Sequence, residues 1–244
     1  MLGLNVNIWG SKVINQWGRI RMARRSIAPP ARANLHALDN IRPKAPARTH
    51  NFVVVDLETT GMDPKKDRVV SVGAFRIVDG KIRLGEVFDE LVNPGRSIPV
   101  ESIHVHAIVP DMIRSARMAW EVMEDFLGFL GDDILVAHHA RFDLFFINRV
   151  MREQYGFRLQ NLVVDTVLMC RQVVIEPDPY GQRRGAKRCS LDALTERYGI
   201  DLPERHTAIG DAMATAIIFQ RLLIEMERAG WGSLGDLIRA AGVW

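Results

Sequence analysis

The sequence predicts an α/β protein in which helices cover both faces of a mixed sheet. Three observations carry that prediction. The run NFVVVDLE, residues 51–58, is short and continuously apolar, the texture of a strand buried on both faces. Two β-rich segments then meet at Asp79-Gly80, a dipeptide that favours a tight hairpin turn. From there helical periodicity alternates with further short apolar runs.

Taken in order, NFVVVDLE and the two arms of RVVSVGAFRIVDGKIRLGEVFDELVNP give three strands in meander order. AWEVMEDFLGFLG predicts a helix with Trp120, Met123, Phe126, Leu127 and Leu130 along one stripe. DILVAH reads as a short buried strand, RFDLFFINRVMREQYG as a helix closed by Gly156, and NLVVDT as a further strand. SLDALTERYGI and the long GDAMATAIIFQRLLIEMERAG are helical, and no internal repeat or low-complexity tract interrupts the pattern.

A chain of 244 residues, 48% hydrophobic and 25% charged, supports one full core, whereas two equal domains would be cramped. The net charge of +3 conceals a split: residues 1–50 carry nine Lys/Arg against the single acid Asp39, and the remainder is net acidic. The expected division is a basic N-terminal arm or linker, 1–50, and a folded domain, 51–244. Three readings of the arm stand: a short helix with a mobile linker, an electrostatic arm for nucleic acid or an acidic partner, or an Arg-rich, acid-poor mitochondrial transit peptide. Cys170 and Cys189 make neither a disulfide framework nor a zinc-binding spacing, so two free thiols in a reducing cytosol are expected. No run approaches the roughly eighteen apolar residues of a membrane span. A cytoplasmic location is therefore expected, or a mitochondrial one if the arm is a transit peptide.

Three motifs bear on chemistry. In VVVDLETTG, Asp56 and Glu58 lie two apart on a strand and leave the same face, just before a Thr-Thr-Gly turn. Such a pair is either a ligand site or a surface-facing acidic strand end. In AHHARFD, residues 137–143, His138, His139 and Asp143 read as metal ligands, a base with its orienting acid, or a helix cap. Asp143 suits the first turn of the following helix, whose N-terminus carries positive partial charge. In RHTAIGDA, His206 precedes a helix and Asp211 falls in its first turn, with small residues at 208, 210 and 212 that allow close approach to a neighbour. Four carboxylates at one sheet edge would repel one another unless neutralised, and hard divalent cations with oxygen ligands do this. Two such ions clamp the oxygens of an in-line phosphoryl displacement, and a nearby histidine takes the proton of the attacking water.

These three motifs together resemble those of the DEDD exonuclease superfamily, in its histidine-containing branch, and most of all the epsilon proofreading subunit of bacterial DNA polymerase III and its stand-alone relatives. The likeness runs from about Asn51 to Gly230. IPVESIHVHAI, VVDTVLMCR and SLDALTERYGI are similar to further family segments. The resemblance implies a ribonuclease H-like mixed five-stranded sheet, an antiparallel meander plus parallel strands, flanked by helices. It implies a 3′–5′ exonuclease of proofreading or repair type, with two divalent cations, Mg²⁺ or Mn²⁺, releasing nucleoside 5′-monophosphates from single-stranded 3′ ends. By position, it implies metal ligation by Asp56, Glu58, Asp143 and Asp211, and a general base in His206. Thr59, Thr60 and Gly61 match the turn that receives the terminal nucleotide, His106 a substrate contact, and Phe142 an aromatic at the nucleotide pocket.

Asp165 is read as a helix cap, and His138 and His139 as shaping the turn that aims Asp143. The chain departs from the family pattern at His139, usually Asn, and at Ala107 and Val109, usually Gly and Thr. Arg171, Arg183, Arg184, Lys187 and Arg188 are expected on a loop that either tracks a nucleic-acid backbone or is simply solvated. DNA is favoured as substrate. The alternatives are an exoribonuclease, since no feature reads the sugar 2′-hydroxyl, and an inactive binding module, which would be expected to have lost a ligand. Because the chain ends soon after its last long helix, a stand-alone repair or trimming nuclease is expected at least as much as a dedicated replicase subunit. A polymerase or repair partner would be met through the basic arm.

Overall fold

The computed structural model describes residues 27–175 and 185–243. Elements run α1 (Pro29–Asn34), β1 (Phe52–Thr59), β2 (Val69–Val78), β3 (Lys81–Asn93), α2 (Val100–His106), α3 (Pro110–Ile113), β4 (Arg117–Met118) and α4 (Ala119–Leu130). They continue through β5 (Ile134–Ala137), α5 (Arg141–Tyr155), β6 (Val163–Asp165), α6 (Thr166–Val173), α7 (Leu191–Tyr198), α8 (Ala208–Arg228), α9 (Leu234–Ala241) and β7 (Gly242–Val243). The sheet order is β4-β3-β2-β1-β5-β6-β7. β1, β2 and β3 form the antiparallel meander, and β5 and β6 add in parallel beside β1. The mixed, ribonuclease H-like architecture is as the sequence predicts, with two-residue strands β4 and β7 added at its edges.

Strand alternation splits the core into two layers. Phe52 and Val54 of β1 face α6, α8 and α9, where Phe52 meets Phe219 edge-on at 4.8 Å between ring centroids. Val53, Val55 and Leu57 face α4 and α5 on the other side. On α4 the buried stripe is Val122, Met123, Phe126, Leu127 and Leu130; Trp120 lies off it, 44% exposed near the helix start.

Two expectations are corrected by tertiary contacts. Ala31 of α1 is buried against the α4–α5 layer, and Leu38 and Ala47 are buried in the other. Asn34 donates to Asn161 Oδ1 at 2.5 Å and accepts from Gln160 N–H at 3.0 Å, and Gly235 and Leu234 donate to the carbonyls of Pro43 and Ala45. The described part of the expected arm is thus built into the body, because its scattered apolar residues find partners that its proline-rich composition does not advertise; residues 1–26 lie outside the described residues. Cys170 and Cys189 are not free thiols but a disulfide with Cα atoms 5.9 Å apart. The sequence separation of 19 hides a meeting made when α6 and the turn before α7 close on one layer. No helix among the described residues is long and apolar enough to cross a membrane.

Candidate active site

The site forms where the sheet opens. β1 pairs with β5 only from Phe52 to Val54, whereas its ladder with β2 continues, setting Asp56 opposite Gly73 and Glu58 opposite Ser71. Asp56 and Glu58 therefore project from the face that Phe52 and Val54 present to α8. A Cβ at Gly73 would run into the backbone of Ala208 and Ile209, so the first turn of α8 lies directly on the strand beside Asp56. A Cβ at Gly210 would likewise meet the Glu204 carbonyl. Gly210, among the small residues noted in the sequence, is thus required by the loop that folds back on it, and Gly73 by the approach of α8. Thr207 caps α8, its hydroxyl accepting from Gly210 N–H at 3.1 Å, and Asp211 falls in the first turn.

This brings one carboxylate oxygen each from Asp56, Glu58 and Asp211 within 4.8 Å of one another. Asp143, buried in the first turn of α5, lies outside that closest trio, yet its charge acts on Asp56, and the charge of Glu58 acts on it. Burial, followed by repulsion from Asp143, Glu58 and Asp211, holds the Asp56 carboxyl well above the usual carboxylate range. Burial and then Asp211 push Glu58 up to about 8. Asp143 is also raised well above its ordinary value, mainly by burial and with Asp165 and Glu58 contributing, while backbone hydrogen bonds oppose the shift. Carboxyls that repel one another in a desolvated pocket, with oxygen donors only, fit a hard divalent cation.

The third motif also contains a residue that motif reading passed over. Arg205 Nε donates to Asp211 Oδ1 at 2.6 Å, Nη2 to Asp192 Oδ1 at 2.7 Å, and Nη1 to Thr195 Oγ1 at 3.3 Å. The only sequence hint was an Arg beside the histidine. His206 itself is exposed at φ 64°, and its backbone N–H donates to Asp211 Oδ1 at 3.4 Å.

Thr59 Oγ1 donates to the Gly61 carbonyl at 2.7 Å, and Thr60 Oγ1 to Asp67 Oδ1 at 3.0 Å. The Asp67 carboxylate occupies the space a Cβ at Gly61 would need, which accounts for glycine in this turn. His106 is buried, its Nδ1 accepting from Ile108 N–H at 3.0 Å, and Ser102 ties the same helix to the Thr60 carbonyl at 2.8 Å. Ala107 takes the left-handed conformation, φ 58°, that closes α2. Phe142 is half-buried and meets Phe146 edge-on at 5.0 Å.

The paired histidines of AHHARFD are structural. His139 adopts φ 61°, donates its N–H to Asp165 Oδ1 at 3.2 Å and accepts from Phe142 N–H at 2.9 Å. His138 Nδ1 lies 2.8 Å from Thr166 Oγ1, and burial followed by the neighbouring His139 presses its ring down to about 3. Asp165 caps α6, accepting from Val167 N–H at 2.9 Å. Of the expected basic loop, Arg171 sits instead in the last turn of α6, and Lys187 and Arg188 are exposed on a short 3₁₀ turn. Arg183 and Arg184 lie outside the described residues.

The exonuclease family model (RNase T) matches residues 53–219. A DNA polymerase III subunit epsilon-like protein of Rhodobacter capsulatus is 45% identical over 190 residues, covering 77% of this chain and 26% of that protein. A PolC-type DNA polymerase III of Thermotoga petrophila is 32% identical over 186 residues, covering 76% of this chain and 13% of its own length. The chain thus spans about a quarter or less of these relatives. Among solved structures, Exonuclease X in complex with 5′ overhanging duplex DNA superposes with TM-score 0.55 at 21% identity, covering 76% of this chain and 97% of the other. Escherichia coli Exonuclease I in complex with a dT13 oligonucleotide gives TM-score 0.61 at 17% identity, covering 74% and 42%. At these identities the structures report a shared fold.

Proposed function

The chain belongs to the exonuclease family, and on that premise we propose that it is a divalent-metal-dependent 3′–5′ exonuclease acting on single-stranded DNA. The observation that carries this reading is the convergence of Asp56, Glu58 and Asp211, with Asp143 buried beside them. These four residues would hold one or two Mg²⁺ or Mn²⁺ ions. Bound there, the cations would supply a Lewis acid for the phosphodiester and a lowered pKa for the attacking water.

The chain's own residues account for the rest. The Thr59–Gly61 turn, braced on Asp67 and on Ser102, receives the terminal nucleotide, and His106 and Phe142 are assigned as further substrate contacts. A ring nitrogen of His206 takes the proton from the water oxygen as that oxygen bonds to phosphorus. The bond from phosphorus to the 3′ oxygen of the penultimate nucleotide breaks, and that oxygen takes a proton from solvent. The products are a nucleoside 5′-monophosphate and a strand one nucleotide shorter. The 45% identity to the epsilon-like protein supports DNA over RNA.

The test is to incubate 5′-labelled single-stranded DNA and RNA oligomers with Mg²⁺ or Mn²⁺, with Asp211→Ala as control. The expected result is metal-dependent shortening of DNA from its 3′ end, absent in the variant. No such shortening overturns the activity, and faster shortening of RNA overturns the substrate.

A further inference from the structure

We propose that Arg205 is a positioning residue whose one guanidinium orients Asp211 for the cation and fastens the His206 loop to α7. The inference rests on the exonuclease reading and adds to it a residue outside its motif set. Three contacts carry it. Nε and the backbone N–H of His206 both converge on Asp211 Oδ1, at 2.6 and 3.4 Å, which leaves the other carboxylate oxygen as the one presented to a cation. Nη2 and Nη1 reach the far side, to Asp192 Oδ1 at 2.7 Å and Thr195 Oγ1 at 3.3 Å on α7. The Arg205 side chain is only 21% exposed, so its planar fork is held between two elements rather than waving in solvent.

The loop needs such a fastening. His206 sits in the left-handed region, next to the cap residue Thr207, and is exposed. Arg205 fixes the backbone one residue before it, and does so from the same side chain that aligns Asp211. The carboxylate and the histidine are thereby set by one group.

Charge alone predicts the opposite of positioning. Arg205 offsets part of the negative charge of the carboxylate cluster and would repel a cation held there, so deleting its charge should tighten cation binding if Coulombic repulsion were its main effect. Loss of an orienting partner to a metal ligand instead costs about 10- to 100-fold in affinity. The experiment compares wild type with Arg205→Ala, Arg205→Lys and Asp192→Asn, measuring Mn²⁺ affinity by electron paramagnetic resonance, kcat and KM on a DNA oligomer, and folding by circular dichroism.

Arg205→Ala should weaken Mn²⁺ binding about 10- to 100-fold and lower kcat. Arg205→Lys should follow it, since a lysine keeps the charge but cannot span both partners. Asp192→Asn, which spares the Asp211 contact, should lower kcat while Mn²⁺ affinity stays within about threefold. Unchanged or tighter Mn²⁺ binding by a folded Arg205→Ala variant overturns the proposal, as does full recovery in Arg205→Lys. Absence of Mn²⁺ binding and of exonuclease activity in the wild type would instead overturn the underlying function. If Arg205→Ala fails to fold, the Arg205→Lys and Asp192→Asn results decide by the same criteria.

Discussion

The backbone of Ala208 rests on Gly73, directly across the ladder from Asp56. That contact sets how far Asp211, three residues into α8, lies from the strand carboxylates. Gly73→Val should force α8 off the sheet, costing about 1–3 kcal/mol of stability. Mn²⁺ affinity should fall with it. Isothermal titration of the folded variant checks this, and wild-type affinity would show that α8 placement does not set the site.

The carboxylate cluster makes stability depend on pH and metal. Glu58 is raised from an ordinary 4.5 to about 8, so the folded protein holds a proton there that the unfolded chain releases. Its contribution to stability is fully present at low pH and is lost as pH rises toward 8. His138, depressed to about 3, acts in the opposite sense, but only below its ordinary 6.5. Between pH 7 and 8 the carboxyls dominate, so the melting temperature of metal-free protein should fall. Saturating Mg²⁺ should restore it more at pH 8 than at pH 7. Proton release on adding Mg²⁺ at pH 7, followed in weak buffer, is a second readout; none would contradict the assigned shifts.

His206→Ala should lower kcat by about 10²- to 10⁴-fold, the usual range for a general base. Oligonucleotide affinity, measured with Ca²⁺ in place of the active ion, should change little. Collapse of binding with surviving turnover per bound complex would reassign the base.

The disulfide closes a loop over a sequence separation of 19 residues, worth about 3 kcal/mol through the unfolded chain. Urea unfolding of Cys170→Ser should show a loss of that order. Equal stability with and without reductant in the wild type would contradict the pairing.

Ala107 occupies a left-handed helix end where glycine carries no Cβ penalty. Ala107→Gly should stabilise the protein by about 1 kcal/mol, read as a higher urea midpoint. A lower midpoint would mean that the methyl group contributes packing that outweighs the backbone cost.

Much of this was legible in the order of residues. Strands β1, β2, β3, β5 and β6 declare themselves through apolar runs and the Asp79-Gly80 turn. Strands β4 and β7 do not, because two residues carry no periodicity and exist only by pairing to an edge. Trp120 followed helical spacing in the sequence yet stands off the core, since the helix start leaves it at the rim. Asp165 as a cap was readable because capping is local.

The sequence by itself determined the kinds of groups and their local frames: two carboxylates on one strand face, an acid in the first turn of each of two helices, and small residues where a helix must come close. Only the tertiary structure decided which of these groups meet. Asp211 reaches Asp56 and Glu58 because α8 lies on Gly73, Arg205 finds Asp211 and Asp192 at once, and Cys170 finds Cys189. The physical reason is range. Propensity, strand alternation and capping act over a few residues, whereas ion pairs, disulfides and the repulsion among buried carboxylates depend on distances that exist only once the layers have closed.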